Sequence, residues 1–316
     1  MISTIINNVN CGAGEVLGTG LNHCPIDINR ITTLGLVKRG FKFDNAESLN
    51  LAYIKEQQQL GNIIILQGVV ETTPETADDN ITTRTGSGIE KLAGKNPVKW
   101  SFTFDNGIYF SKALQELISY GAYDLVFWDS LGSMFLVTTL ANEYKGFSCY
   151  QINAGVYTPS NGADAASQML TLQLNRNEYD TRISWITSEN LDYTADTDLD
   201  GYNDLTIEVI SGYSTNTDIV IDVYSKADNK KVAITGLAKE DFALTIDGTS
   251  DVIVSLTPVV GVAGRYTIVS TTTLTLDDEV TVKTYDSTLL TDIIDVEGVL
   301  YKSNTATYKV IAAPGG

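Results

Sequence analysis

Residues 99–139 read KWSFTFDNGIYFSKALQELISYGAYDLVFWDSLGSMFLVTT, and their pattern decides the fold class. Trp100, Phe102 and Phe104 alternate with Ser101 and Thr103, the period of a strand with one buried face. Asp105-Asn106-Gly107 is a turn. Phe110, Leu114, Leu117 and Ile118 then fall on one helical face, and Gly121 stands where a helix commonly ends. Residues 123–128 form a second apolar strand, 129–132 a turn, and 134–138 the returning strand of a hairpin. Strand, helix and meander in one short span predict a β-sandwich with a flanking helix.

The same reading extends to both sides. Upstream, Asp44 and Glu47 have the spacing of a capping box, and Leu49, Ala52, Tyr53 and Leu60 recur at helical intervals before Gly61. A helix over 45–60 and a buried strand over 62–70 follow from this. Residues 72–88, TTPETADDNITTRTGSG, read as a long polar loop. A loop of that length needs a functional explanation. Downstream, strands are expected over 146–157, 168–175 and 182–185. The second of these alternates Gln168, Leu170, Leu172 and Leu174 without a charge or proline, and so reads as an open edge.

Composition changes near residue 194. Residues 1–193 hold 13 basic and 20 acidic side chains, a net of −7. Residues 194–316 hold 8 and 19, a net of −11 over a shorter length, with no Trp, Cys, Met or His. Short apolar strands at nearly regular spacing, with Asp-Gly and Asp-Asn turns, predict an all-β immunoglobulin-like sandwich lacking the Cys–Trp–Cys core. Two domains are therefore expected, 1–193 and 194–316.

The charge and residue inventory excludes several functions. With 21 basic and 39 acidic residues the chain carries −18, which opposes coating of nucleic acid or anionic lipid. The apolar runs, Ile63–Leu66 among them, are too short to span a bilayer, so no membrane partner is expected. The opening Met1-Ile-Ser-Thr-Ile-Ile-Asn-Asn has neither the basic nor the apolar region of a secretory signal. Three cysteines without CxxC spacing fit synthesis in a reducing compartment. The single histidine, His23, removes most His-dependent catalytic plans, and no enzyme activity is expected.

Five local patterns bear on chemistry. Asp196, Asp198, Asp200 and Asp204 with Gly201 match positions 1, 3, 5, 9 and 6 of a calcium loop, but position 12 is Ile207 and Glu208 comes one residue late. These four aspartates are candidate ligands for weakly held Ca²⁺; an acidic, solvated interdomain bridge is the other reading of the same residues. Gly12, Gly14, Gly18 and Gly20 lack a preceding strand or a P-loop lysine, and read as an arm. His23 beside Cys24 lacks a nameable acid partner, and Ser133 lacks the second glycine of a nucleophile elbow. Trp100, Phe102, Phe104, Tyr123, Phe127 and Trp128 have the periodicity of core rather than of a sugar platform.

Residues 88–192 resemble a known family. The helix start FSKAL, the strand YGAYDLVFWD, KGF at 145–147 and LQLNRNEYDTR at 172–182 are similar to phrases of tail-tube and tail-ring proteins of tailed bacteriophages, crAss-like phages among them. MISTIINNVNC at the start is similar too, so the likeness covers about the first 190 residues. The family implies a small β-sandwich flanked by a helix, with a long loop reaching a neighbouring subunit; here that is 72–88. It implies a virion protein, made in the host cytoplasm, that forms a ring (hexamer or higher) and meets adjacent tail or connector proteins. DNA would pass through an acidic lumen without specific binding. The alternative is a capsid decoration or surface-binding module that uses the immunoglobulin-like domain.

Overall fold

The computed structural model describes residues 6–7, 28–43, 49–83, 90–120, 122–141, 143–162, 164–227 and 230–313. The protein is mainly β, with 24 strands and four α-helices among the described residues. It divides into two compact units, Met1–Asp200 and Gly201–Gly316.

The first unit runs β1 (Ile6–Asn7), β2 (Ile31–Lys38), α1 (Leu51–Gln59), β3 (Ile63–Leu66), β4 (Val69–Pro74), β5 (Asn80–Thr83) and β6 (Glu90–Gly94). It continues through β7 (Val98–Phe104), α2 (Gly107–Tyr120), β8 (Tyr123–Asp129), β9 (Met134–Thr138), β10 (Tyr144–Lys145) and β11 (Phe147–Ala154). β12 (Gln168–Leu174), α3 (Arg176–Thr181), β13 (Ile183–Ile186) and the single turn α4 (Ala195–Asp198) complete it. The main sheet has the order β1-β13-β9-β8-β11-β12-β7-β4, with β2 between β8 and β3. It forks at β8. One edge of β8 pairs along its length with β2; the other pairs with β9 at Phe127–Trp128 and with β11 at Asp124–Leu125.

The alternation expected over 100–104 is what packs the two branches together. Trp100, Phe102, Phe104, Leu170 and Leu172 meet Leu125, Phe127, Phe135 and Phe147 in one buried cluster, to which α2 adds Leu114. Phe127 is its hub, with ring centroids 5.5 Å from Trp100, 5.0 Å from Phe135 and 5.7 Å from Phe147. Val126, Trp128, Met134 and Leu136 face the other way, into a second cluster roofed by α1 and by Leu191, Tyr193, Ala195 and Leu199. Burial on both faces explains why β8 reads as a continuous apolar run. Residues 194–200 lie in the first unit, with Ala195 and Leu199 buried in its core.

Three local expectations change. α1 begins at Leu51, not 45: Asn50 caps it by accepting a hydrogen bond from Tyr53 N–H at 2.9 Å. Asp44 and Glu47 lie outside the described residues. The 62–70 strand breaks at Gly68 (φ +79), and β4 then runs on to Pro74, into the expected loop. β12 is internal, paired with β11 on one side and β7 on the other, so it is not an open edge.

The second unit packs two sheets around one apolar cluster that includes Ile207, Ile221, Ile268 and Val282. Its larger sheet holds β14 (Asn203–Gly212), β15 (Asp218–Ala227), β16 (Lys230–Ala233), β19 (Ile253–Pro258), β20 (Arg265–Ser270), β22 (Ile293–Val296) and β23 (Val299–Ser303). β17 (Phe242–Ile246), β18 (Thr249–Asp251), β21 (Glu279–Thr284) and β24 (Ala306–Lys309) form the smaller one. The β22–β23 hairpin escaped the sequence reading. Glu297 (φ +54) and Gly298 (φ +87) close it in the left-handed turn that two-residue hairpins favour.

Candidate functional site

Asp196, Asp198 and Asp200 of the calcium-like stretch lie in the first unit and do not form a ligand set there, and Asp204 belongs to the second unit. Asp196 Oδ1 accepts from Thr33 Oγ1 at 2.7 Å, and Asp198 Oδ2 from Thr194 N–H at 2.7 Å. Asp200 offers its backbone carbonyl to Gln58 Nε2 at 2.8 Å, and Asp204 stands on β14 in register with Lys302. A calcium loop turns alternate carboxylates into one concavity. Here Ala195 and Leu199 are drawn into the core, and the intervening residues wind into the helical turn α4. Side chains two apart on a helix point ~200° apart, so Asp196 and Asp198 diverge. Among the described residues no three His, Cys, Asp or Glu side chains are placed to share a metal ion.

A cleft of about 490 Å³ does open between the β8–β9 turn and residues 188–198, lined by Asp129, Asp192, Asp196 and Asp198. Its carboxylates are already engaged. Asp129 Oδ1 accepts from Leu131 N–H (3.1 Å) and Ser133 N–H (2.9 Å), and Asp192 Oδ1 from Leu51 N–H at 2.9 Å. They tie turns and helix starts to the sheet. Ser133 belongs to that turn and has no nucleophile setting.

The expected loop 72–88 is in good part β structure. Among the described residues β5 and β6 pair only with each other, as a two-stranded ribbon. Ile81 stands opposite Leu92, and the two are 59% and 52% exposed. The root of the ribbon is fixed. Lys95 Nζ lies 3.0 Å from Asp180, Arg176 Nε 2.8 Å from Asp180, and Asn96 N–H donates to Asp79 at 3.2 Å. Burial pushes the Asp180 carboxyl up, but the Arg176 and Lys95 hydrogen bonds outweigh it and hold the group below its ordinary value. Ile81-Thr82-Thr83 was the available signal: β-branched residues favour strands.

On the face of β4–β7–β12–β11 away from the core, Thr73, Ser101, Thr171 and Asn153 stand in one cross-strand row. Ser101 Oγ lies 2.9 Å from Thr171 Oγ1 and 2.8 Å from Glu75 Oε1. The Lys99 and Ser101 hydrogen bonds lower the Glu75 carboxyl. The strip is hydroxyl and amide, with its charges at the margin.

At the fork a polar cluster is built into the sheet. Glu178 of α3 accepts from Lys145 Nζ at 2.6 Å and from Ser148 N–H at 2.7 Å. Asp124 is 2% exposed; burial raises its carboxyl, against opposing pulls from Gly40 N–H, Lys145 and Arg39. Burial also pushes up the thiol of Cys149, which is inert as a nucleophile. The aromatic set is core: Trp128, Phe102, Phe104 and Phe127 are fully buried. His23, Cys24 and the glycines at 12, 14, 18 and 20 lie outside the described residues.

No family model matches the chain, and no curated protein matches it.

Proposed function

We propose that the chain is a structural protein of a tailed-phage virion, assembling with itself into a tail ring or tube through which DNA passes. The observation that carries this reading is the β5–β6 ribbon. A lone two-stranded ribbon is marginally stable in water, and this one presents an apolar cross-strand pair to solvent while the Lys95–Asp180 and Arg176–Asp79 ion pairs tie its root to α3. An arm of that kind is completed by a neighbouring subunit. The branch β11–β12–β7–β4 supports the reading. Among the described residues β4 has no strand partner beyond β7, and residues 151–154 of β11 have none beyond β12. Head-to-tail pairing of two different edges generates a ring where the rotation between subunits closes. The sheet would then turn its hydroxyl and amide strip to the lumen, and the charge of −18 gives DNA no counterion-release gain that would trap it. Adjacent tail or connector proteins are the further partners.

A second reading, a capsid decoration or surface-binding module, is favoured by one feature of the second unit. Residues 252–264 carry no charge in a segment of net −11, and they expose Val252 (66%), Val254 (51%) and Val260 (98%). Electron microscopy of the purified protein separates the two. Rings or tubes support the first; isolated particles at all concentrations and salt levels, with purified tail neighbours present, refute it.

A further inference from the structure

The chain contains two Asn-Gly pairs, Asn106-Gly107 and Asn161-Gly162, and the structure treats them differently. We infer that Asn161 is a self-modifying site, converted by its own surroundings to aspartate and isoaspartate. Asn161 lies in the loop between β11 and β12, which is closed by two backbone hydrogen bonds of 2.9 Å between Thr158 and Ser167. Its side chain is gripped at both ends by one residue. Asp164 N–H donates to Asn161 Oδ1 at 2.8 Å, and Asn161 Nδ2 donates to Asp164 Oδ2 at 3.0 Å.

That arrangement matches the chemistry of imide formation. The Gly162 nitrogen attacks Asn161 Cγ, and a new N–Cγ bond forms as negative charge builds on Oδ1. The Asp164 N–H already points at that oxygen, as an oxyanion donor does. The Cγ–Nδ2 bond then breaks. The proton lost by the Gly162 nitrogen ends on the departing nitrogen, with the Asp164 carboxylate beside Nδ2 as its carrier, and ammonia leaves. Water opens the cyclic imide at either carbonyl, giving aspartate or isoaspartate. Gly162, at φ +88, offers no Cβ to hinder the approach.

Asn106 is also followed by a glycine at positive φ, Gly107 at +83, but it lacks the two contacts that Asp164 makes. Its Nδ2 donates to the Gln67 carbonyl at 3.0 Å, a group that cannot carry a proton to a leaving amine. Its Oδ1 is wedged 2.8 Å from where a Cβ on Gly68 would stand. The two sites are therefore an internal comparison in one chain. Conversion at Asn161 adds one negative charge and, as isoaspartate, one extra backbone carbon, inside a loop whose closure isolates the sandwich from the change.

The test is peptide mapping by mass spectrometry, with isoaspartyl methyltransferase labelling, of full-length protein held at neutral pH. Native protein should convert Asn161 about tenfold or more faster than Asn106, and Asp164→Asn, which removes the carboxylate carrier but keeps the backbone N–H donor, should slow Asn161 by about tenfold, less than the ~10²–10⁴ of an optimised general acid–base. Urea-unfolded protein should convert the two sites at similar rates. Equal native rates at the two sites, or an Asp164→Asn variant with unchanged Asn161 conversion, overturns the inference. Unchanged tryptophan fluorescence in the variant excludes a folding artefact.

Discussion

Replacing Glu178 by alanine tests whether the polar cluster at the fork holds α3 and β10 to the sheet. Its carboxylate accepts from Lys145 Nζ, Ser148 N–H and Ser148 Oγ at 2.6, 2.7 and 3.1 Å. The side chains of Lys145 and Glu178 are 18% and 9% exposed, so little water can replace the lost partner. Removing one member of a buried ion pair costs about 3–5 kcal/mol, and partial access at Lys145 places this one at the low end, ~3–4 kcal/mol with the orphaned Ser148 N–H included. For a unit of this size that lowers Tm by roughly 6–16 °C. Trp100, Trp128 and Trp185 are the chain's three tryptophans and all lie in the first unit, so urea unfolding followed by tryptophan fluorescence reads this unit alone. The double variant Lys145→Met with Glu178→Leu should recover only part of the loss: an apolar pair replaces the buried ion pair at little cost, but the Ser148 N–H stays unpaired. A loss below about 1 kcal/mol for Glu178→Ala, the level of an exposed pair, refutes the reasoning.

Four further outcomes follow from the same geometry. The raised carboxyl of Asp124 stabilises the fold when protonated, a contribution that is full below its unfolded value and lost as pH rises through its folded value. Asp124→Asn should therefore gain stability relative to wild type at neutral pH, and urea titrations should show that gain shrinking toward about pH 4. Ile81→Asp with Leu92→Asp should abolish assembly in sedimentation velocity yet change the first unit's unfolding by less than about 0.5 kcal/mol; in wild type, added salt should favour assembly by screening. Asp196→Ala should cost about 1–2 kcal/mol without any calcium present, because Thr33 is fully buried and loses its hydrogen-bond acceptor. Gly264→Ala should destabilise the second unit by about 1–3 kcal/mol or more, seen by circular dichroism with tryptophan fluorescence unmoved. Its Cβ would stand 2.6 Å from the Val223 carbonyl at φ +74.

The sheet-forming core was legible because its periods are clean. Residues 100–104 alternate, the α2 face repeats at helical spacing, and the β8–β9 hairpin is punctuated by its turn. Legibility failed where burial and charge are interleaved. Leu191, Tyr193, Ala195 and Leu199 roof the second cluster, but Asp192, Asp196 and Asp198 between them, with Asp200 just after, make the stretch look like a solvated bridge. The same aspartates imitate a calcium loop because spacing says nothing of whether the backbone winds into a helical turn. β12 looked like an edge because an uncharged alternating strand is equally at home in mid-sheet. The ribbon was hidden because propensity is a weak guide to pairing when neither strand meets a core.

The fork at β8 has a consequence for how the first unit comes apart. Leu125 and Phe127 are buried in one cluster and Val126 and Trp128 in the other, while the same backbone pairs with β2, β9 and β11. Neither cluster can open without exposing alternate residues of a strand that the other still holds. The two layers therefore melt as one cooperative block, and hydrogen exchange should give the β8 amides a single high protection, set by global unfolding, from one end of the strand to the other.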